Sequence, residues 1–111
     1  MTDREFLIGG DISALARLER QGAQYSDGGV PGDAIAIMRH HGCNCFRLRL
    51  FVDPDDTGVV VNDLAYTARL AKRVKDSGAR LLLNFHYSDT WADPAHQSKP
   101  KAWAHLELEG L

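Results

Sequence analysis

Three short apolar runs alternate with amphipathic segments along this chain, and each run ends abruptly in polar residues. Residues of about 6–10, 44–50 and 80–86 are short, apolar and rich in β-formers, which predicts strands. Between them, apolar positions recur every three to four residues. Ser13–Gln21 places Leu15 and Leu18 on one helical face and stops at Gly22, a left-handed terminator. Asp33 caps a second predicted helix with Ile35 and Met38 inside, ending at Gly42. Asp63 opens the longest one, with Leu64, Ala68, Ala71 and Val74 as its apolar stripe and Gly78 as its end. A further helix is predicted to start near Lys101, and Asp27-Gly28-Gly29 reads as a turn within the long first connection.

The predicted order is β-α-α-β-α-β. Strands separated by covering helices, without tight hairpin signals, predict parallel pairing through right-handed crossovers and an α/β class. No linker or low-complexity stretch interrupts residues 1–111, so the chain reads as one unit. Three parallel strands with both edges open would leave backbone groups unpaired and faces uncovered, so the pattern predicts the first part of something larger.

Composition narrows the picture. A chain of 111 residues suffices for one small domain with a modest core. A formal net charge of -2 gives no long-range attraction for nucleic acid or an anionic membrane surface. No apolar run approaches the roughly 20 residues of a membrane span. Met1-Thr2-Asp3-Arg4-Glu5 carries both signs of charge and lacks the apolar core of a signal peptide. Cys43 and Cys45, two apart in a predicted strand, share a face without bridging geometry and have no second pair to complete a metal site. They read as small buried apolar side chains, and no redox compartment follows.

The candidate chemistry lies at the strand ends, where loops of α/β proteins converge on one face. Asp11 follows the first strand. In the second, Arg47 and Arg49 alternate with Phe46, Leu48 and Leu50, so both guanidinium groups share a face. Such arginines either line a polar interior and need carboxylate or carbonyl partners, or lie on an exposed sheet face. Arg49 is nearer the exit and better placed for a ligand. The third strand runs into His86-Tyr87-Ser88-Asp89-Thr90-Trp91-Ala92-Asp93-Pro94. A strand-end histidine is often simple packing, but Ser88, Asp89, Trp91 and Asp93 crowd this one. Trp91 suits stacking on the apolar face of a sugar, or plugging its own loop. A metal set of His86, Asp89, Asp93 and His96 matches no strong zinc spacing. Gly9-Gly10-Asp11-Ile12-Ser13 passes from strand to helix as phosphate loops do. It lacks the third glycine and the lysine, and Asp11 would repel a phosphate, which argues against nucleotides. His40 and His41 close a helix whose partial negative charge favours imidazolium, a structural role.

Gly10-Asp11-Ile12-Ser13, then Arg47-Leu48-Arg49, then above all Phe85 through Pro94 with Gln97 and Pro100, resemble glycoside hydrolase family 53 in order and spacing. These are the endo-β-1,4-galactanases of arabinogalactan. Leu15, Leu18, Glu19 and Gly22 fit the family's first helix, and the resemblance runs from Phe6 to Trp103. It implies a (β/α)₈ TIM barrel, about three βα units of which lie in this chain, and hydrolysis of β-1,4-galactan or a related plant polysaccharide with retention. No cofactor is expected, and no metal ligand is assigned among the residues of this chain. Asp11, Arg49 and His86 would line the floor of the site, with Arg47 beside them. Ser88, Asp89, Thr90, Trp91 and Asp93 would form the sugar-binding wall. An arginine on the second strand would steady the ionised nucleophile.

Two departures stand out. Phe51 occupies a position where the family usually has tryptophan, keeping an aromatic surface without the indole donor. Glu5, Glu19, Glu107 and Glu109 are the only glutamates, none at a strand exit, whereas retention needs two carboxylates about 5–5.5 Å apart. The resemblance puts both on the fourth and seventh strands, beyond Leu111. The expectation is therefore an N-terminal barrel portion, inactive alone, whose partners are the polysaccharide and the missing barrel strands, with no nucleic acid or membrane. The residues give no localisation, and the resemblance implies a secreted or periplasmic protein. The alternatives are a non-catalytic truncated remnant and a metal-dependent TIM-barrel hydrolase fragment using His86, Asp89, Asp93 and His96.

Overall fold

A computed structural model of the chain describes residues 5–55, 61–91 and 94–106. Strands β1 (Gly9–Asp11), β4 (Cys45–Leu50) and β5 (Arg80–Phe85) form one parallel sheet in the order β1-β4-β5. Helices α1 (Leu15–Arg20), α2 (Ala34–His40) and α3 (Leu64–Asp76) connect them, and strands β2 (Tyr25–Asp27) and β3 (Val30–Gly32) form a separate antiparallel pair. No helix among the described residues is long and apolar enough to cross a membrane.

β4 is the centre of the sheet and of the core. Its alternation sends Phe46 and Leu48, both fully buried, toward the helices. There they meet Leu15, Ala34, Ile35, Tyr66, Leu70 and Val74. The helix starts are set as the sequence predicts. Asp33 Oδ2 accepts from the Ala36 N–H at 3.0 Å, and Asp63 Oδ1 accepts from the Tyr66 N–H at 2.9 Å. Gly22, Gly42 and Gly78 follow the three helices with φ of 95°, 99° and 85°, the left-handed conformation that ends a helix most cheaply in glycine.

Several expectations are corrected. The buried face of α3 is Tyr66, Thr67, Leu70 and Val74, while Leu64 is 71% exposed and Ala68 also faces outward. Leu64 and Ala68 each sit two residues from Tyr66, about 200° around the helix, so the large Tyr66 and Leu70 side chains decide the phase. β1 is shorter than residues 6–10. Phe6, Leu7 and Ile8 are exposed, and the Asn44 side chain pins them by accepting from the Ile8 N–H and donating to the Phe6 carbonyl. The first connection does contain a tight hairpin. Gly28 and Gly29, with φ of 56° and 83°, form its two-residue loop, matching the twist of the flanking strands. Its tip is tethered to the end of α2, where Asp27 Oδ2 lies 2.6 Å from His41 Nε2. The cysteines do not share a face: Cys43 precedes β4 and packs on the core, while Cys45 faces the opposite side beside Arg47. The segment expected to become helical near Lys101 is a single 3-10 turn, Lys101–Trp103.

One guanidinium joins the three helices. Arg73 of α3 donates to both carboxylate oxygens of Glu19, at 2.7 and 3.1 Å, and to Asp33 Oδ1 at 3.0 Å. This forked geometry suits arginine specifically. The phase of α3 has a direct consequence for stability. Leu70→Ala is expected to cost about 2–5 kcal/mol, read as a lower urea midpoint. Leu64→Ala is expected to cost no more than about 0.5 kcal/mol in the same titration.

Candidate functional site

With Phe46 and Leu48 committed to the helices, Arg47 and Arg49 point to the other face of the sheet. The register sets Asp11 beside Arg47 and Asn84 beside Arg49. His86 continues that face one step past β5, its N–H donating to the Leu50 carbonyl at 2.8 Å. The strand exits thus deliver a carboxylate, two guanidinium groups and an imidazole to one place.

Asp11 is the partner the arginines require. Its Oδ2 accepts from Arg47 Nε at 2.9 Å and lies 3.5 Å from Arg49 Nε, while Oδ1 accepts from the Ser13 N–H at 2.8 Å. Burial alone pushes the Asp11 carboxyl up. The Ser13 and Arg47 hydrogen bonds and the Arg49 charge outweigh it, so Asp11 is held below the ordinary carboxylate value. Arg49 is the more enclosed of the two arginines, and its Cζ sits 3.9 Å from the centre of the Trp91 ring, a cation–π contact. The His86 ring lies between Phe51, at 4.6 Å, and Trp91, at 6.1 Å. Burial and the neighbouring Arg49 and Arg47 charges push the His86 imidazole below its ordinary value, against the smaller pull of Asp11. Its Nδ1 is buried and has no hydrogen-bond partner among the described residues. Beside it opens a cleft of about 590 Å³ lined by His86, Tyr87, Gln97, Lys99 and Trp103, among others.

The rest of the predicted wall divides. Ser88 is buried, its carbonyl accepting from the Val52 N–H and its hydroxyl from the Thr90 N–H. Asp89 spans two loops, accepting from the Asp53 N–H at 3.0 Å and the Lys101 N–H at 2.9 Å. These two residues therefore fasten the loops after β4 and β5 to each other and to the 3-10 turn, while Thr90 and Trp91 remain exposed. Asp93 lies outside the described residues. No group of three His, Cys, Asp or Glu side chains placed to hold a metal ion occurs among the described residues. Glu5 and Glu19 are ion-paired with Arg80 and Arg73, away from the strand exits.

Sequence reasoning missed Ser13, Asn62, Tyr66 and Thr67, four buried residues behind the site. For Tyr66 and Thr67 the available signal was a polar group where the helix period demands burial, which obliges it to find a partner; Ser13 and Asn62 precede their helices, and no such period marks them.

A parallel sheet with helices on one face and convergent polar side chains at its strand exits is the arrangement that one portion of a (β/α)₈ barrel presents. Comparison with known proteins fixes which. Residues 7–111 match glycosyl hydrolase family 53, and the chain belongs to that family. It is 42% identical to an uncharacterized protein in the bgaB 5′ region of Niallia circulans, covering 100% of this chain and 30% of that protein. It is 40% identical to the arabinogalactan endo-beta-1,4-galactanase of Cellvibrio japonicus over 91% of this chain and 26% of that one. The structure of the Ignisphaera aggregans GH53 catalytic domain superposes with a TM-score of 0.86 at 39% identity, over 95% of this chain and 31% of that one. The chain thus spans under a third of the length of these relatives.

The electrostatics give a pH dependence. A carboxyl with a lowered folded value contributes stability above the ordinary 3.8, and that contribution disappears as pH falls through the folded value. A histidine with a lowered folded value costs nothing above 6.5 and destabilises as pH falls below it. Both effects weaken the fold in acid. Asp11→Asn is expected to move the His86 midpoint further down, because it removes the anion that, among the described residues, opposes the pull of Arg47 and Arg49 on that ring; an NMR titration of the His86 ring checks the direction.

Proposed function

We propose that this chain supplies the first three βα units and part of the galactan-binding face of a retaining endo-β-1,4-galactanase. The observation that supports it most is Arg49, fixed by Asp11 and laid against Trp91 at the strand exits. Trp91 offers an aromatic surface to the apolar face of a galactosyl unit. Arg49 and Arg47 place positive charge where it holds a nearby carboxylate ionised. His86, kept neutral by its surroundings, suits a hydrogen bond to a sugar hydroxyl. Asp93, outside the described residues, belongs to the same proposed wall.

The chemistry itself needs a general acid/base and a nucleophile about 5–5.5 Å apart. Asp11 is a poor acid because two arginines stabilise its ionised form, and Glu5 and Glu19 are committed to ion pairs elsewhere. The family resemblance implies that the two catalytic glutamates belong to other strands of the complete barrel, and on this reading the residues of this chain bind and orient. The metal-dependent alternative draws no support from Asp89, whose two oxygens already serve backbone donors.

The purified 111-residue chain is expected to release no reducing ends from β-1,4-galactan. Galactotetraose is expected to bind with Kd of about 1 mM or weaker, since most subsites are absent, and to perturb the Trp91 indole N–H resonance. Measurable cleavage by this chain, or an indole signal indifferent to the sugar, would overturn the proposal.

A further inference from the structure

Behind the strand exits lies a buried polar cluster centred on Ser13. The Ser13 N–H donates to Asp11 Oδ1 at 2.8 Å, and its Oγ accepts from the Arg49 N–H at 2.8 Å. Its carbonyl accepts from the Tyr66 hydroxyl at 2.7 Å and from Asn62 Nδ2 at 3.1 Å. The Asn62 carbonyl in turn accepts from the Phe51 N–H at 2.8 Å, and the Thr67 hydroxyl donates to the Arg49 carbonyl at 3.4 Å. Asn62 directly precedes the Asp63 cap of α3, and Tyr66 and Thr67 lie in its first turn, on the helix side of the sheet. One residue thus bonds the carboxylate of the site, the backbone of its arginine and the helix behind both.

On the reading of this face as a sugar site, we infer that Ser13 is a positioning residue, and that Asn62 and Tyr66 act through it. Together they hold Asp11 and Arg49 in the geometry that lays the guanidinium against Trp91. The physical argument is one of constraint. An arginine side chain has many rotamers, and Arg49 is placed only if its backbone and the carboxylate it faces are both fixed. Ser13 fixes both. The cluster is buried, so its hydrogen bonds are strong and a missing one leaves a buried group unsatisfied. Ser13 also contributes to the low Asp11 carboxyl value, through its amide and its hydroxyl.

The test is NMR on the 111-residue chain, following the Arg49 Nε–H, the Trp91 indole N–H and the Asp11 carboxyl titration. Tyr66→Phe, which deletes one hydroxyl and keeps the ring, is expected to shift the Arg49 and Trp91 signals. Ser13→Ala is expected to do the same and to raise the Asp11 midpoint, and Ser13→Thr, which retains the hydroxyl, to return that midpoint toward the wild-type value. Leu64→Ala serves as the control, since Leu64 lies on the same helix, is exposed and makes none of the cluster's hydrogen bonds, and it is expected to leave all three signals in place. If Tyr66→Phe and Ser13→Ala leave all three readouts at their wild-type positions, the cluster is packing alone and the inference fails. If Ser13→Ala does not fold, Tyr66→Phe decides. These readouts need no sugar. Failure of galactotetraose to perturb Trp91 would therefore overturn the galactan reading while leaving the positioning result to stand or fall separately.

Discussion

β4 carries two guanidinium groups on the face of the sheet turned away from the helices, and Asp11 is the carboxylate that lets them stay there. Without it, two like charges one strand-repeat apart would repel and remain half desolvated without a counter-ion. With it, the pair becomes a fixed field at the strand exits: an ionised carboxylate, two oriented cations, and an imidazole whose neutral form that field favours. Trp91 is drawn into the same arrangement through Arg49. The proposed binding surface is therefore an extension of one ion cluster.

That cluster is only as rigid as the strand beneath it. β4 is held from the opposite side by Phe46 and Leu48 packing on Leu70 and Val74, and by the Ser13 hydrogen bonds that reach its exit from α3. Arg73, by clasping Glu19 and Asp33, ties α1 and the cap of α2 to α3 behind β4. The loops above are fastened by Asp89 and Ser88, which join the β4 and β5 exits through backbone donors. Ser88 and Asp89, whose residue types suggest ligand binding in the sequence, thus also carry loop architecture.

Much of this was legible from the sequence. The parallel strands, the caps at Asp33 and Asp63, the glycine terminators and the shared face of Arg47 and Arg49 follow from local rules of periodicity and capping, which need no distant partner. The family was legible too, because the run from Phe85 to Pro94 is long and specific. What the sequence could not resolve were choices settled by contact between remote segments. Leu64 and Tyr66 are both acceptable on an apolar face, and only the presence of the sheet under Tyr66 and Leu70 selects the phase of α3. Asp89 and Asp11 are both strand-exit carboxylates. One faces arginines and the other faces backbone amides, because the loops that bring those partners come from elsewhere in the chain. Local chemistry determined which elements form and which side chains reach the strand exits. Tertiary structure decided which partner each of those side chains meets, because a buried hydrogen-bonding group must pair with whatever a remote segment places against it.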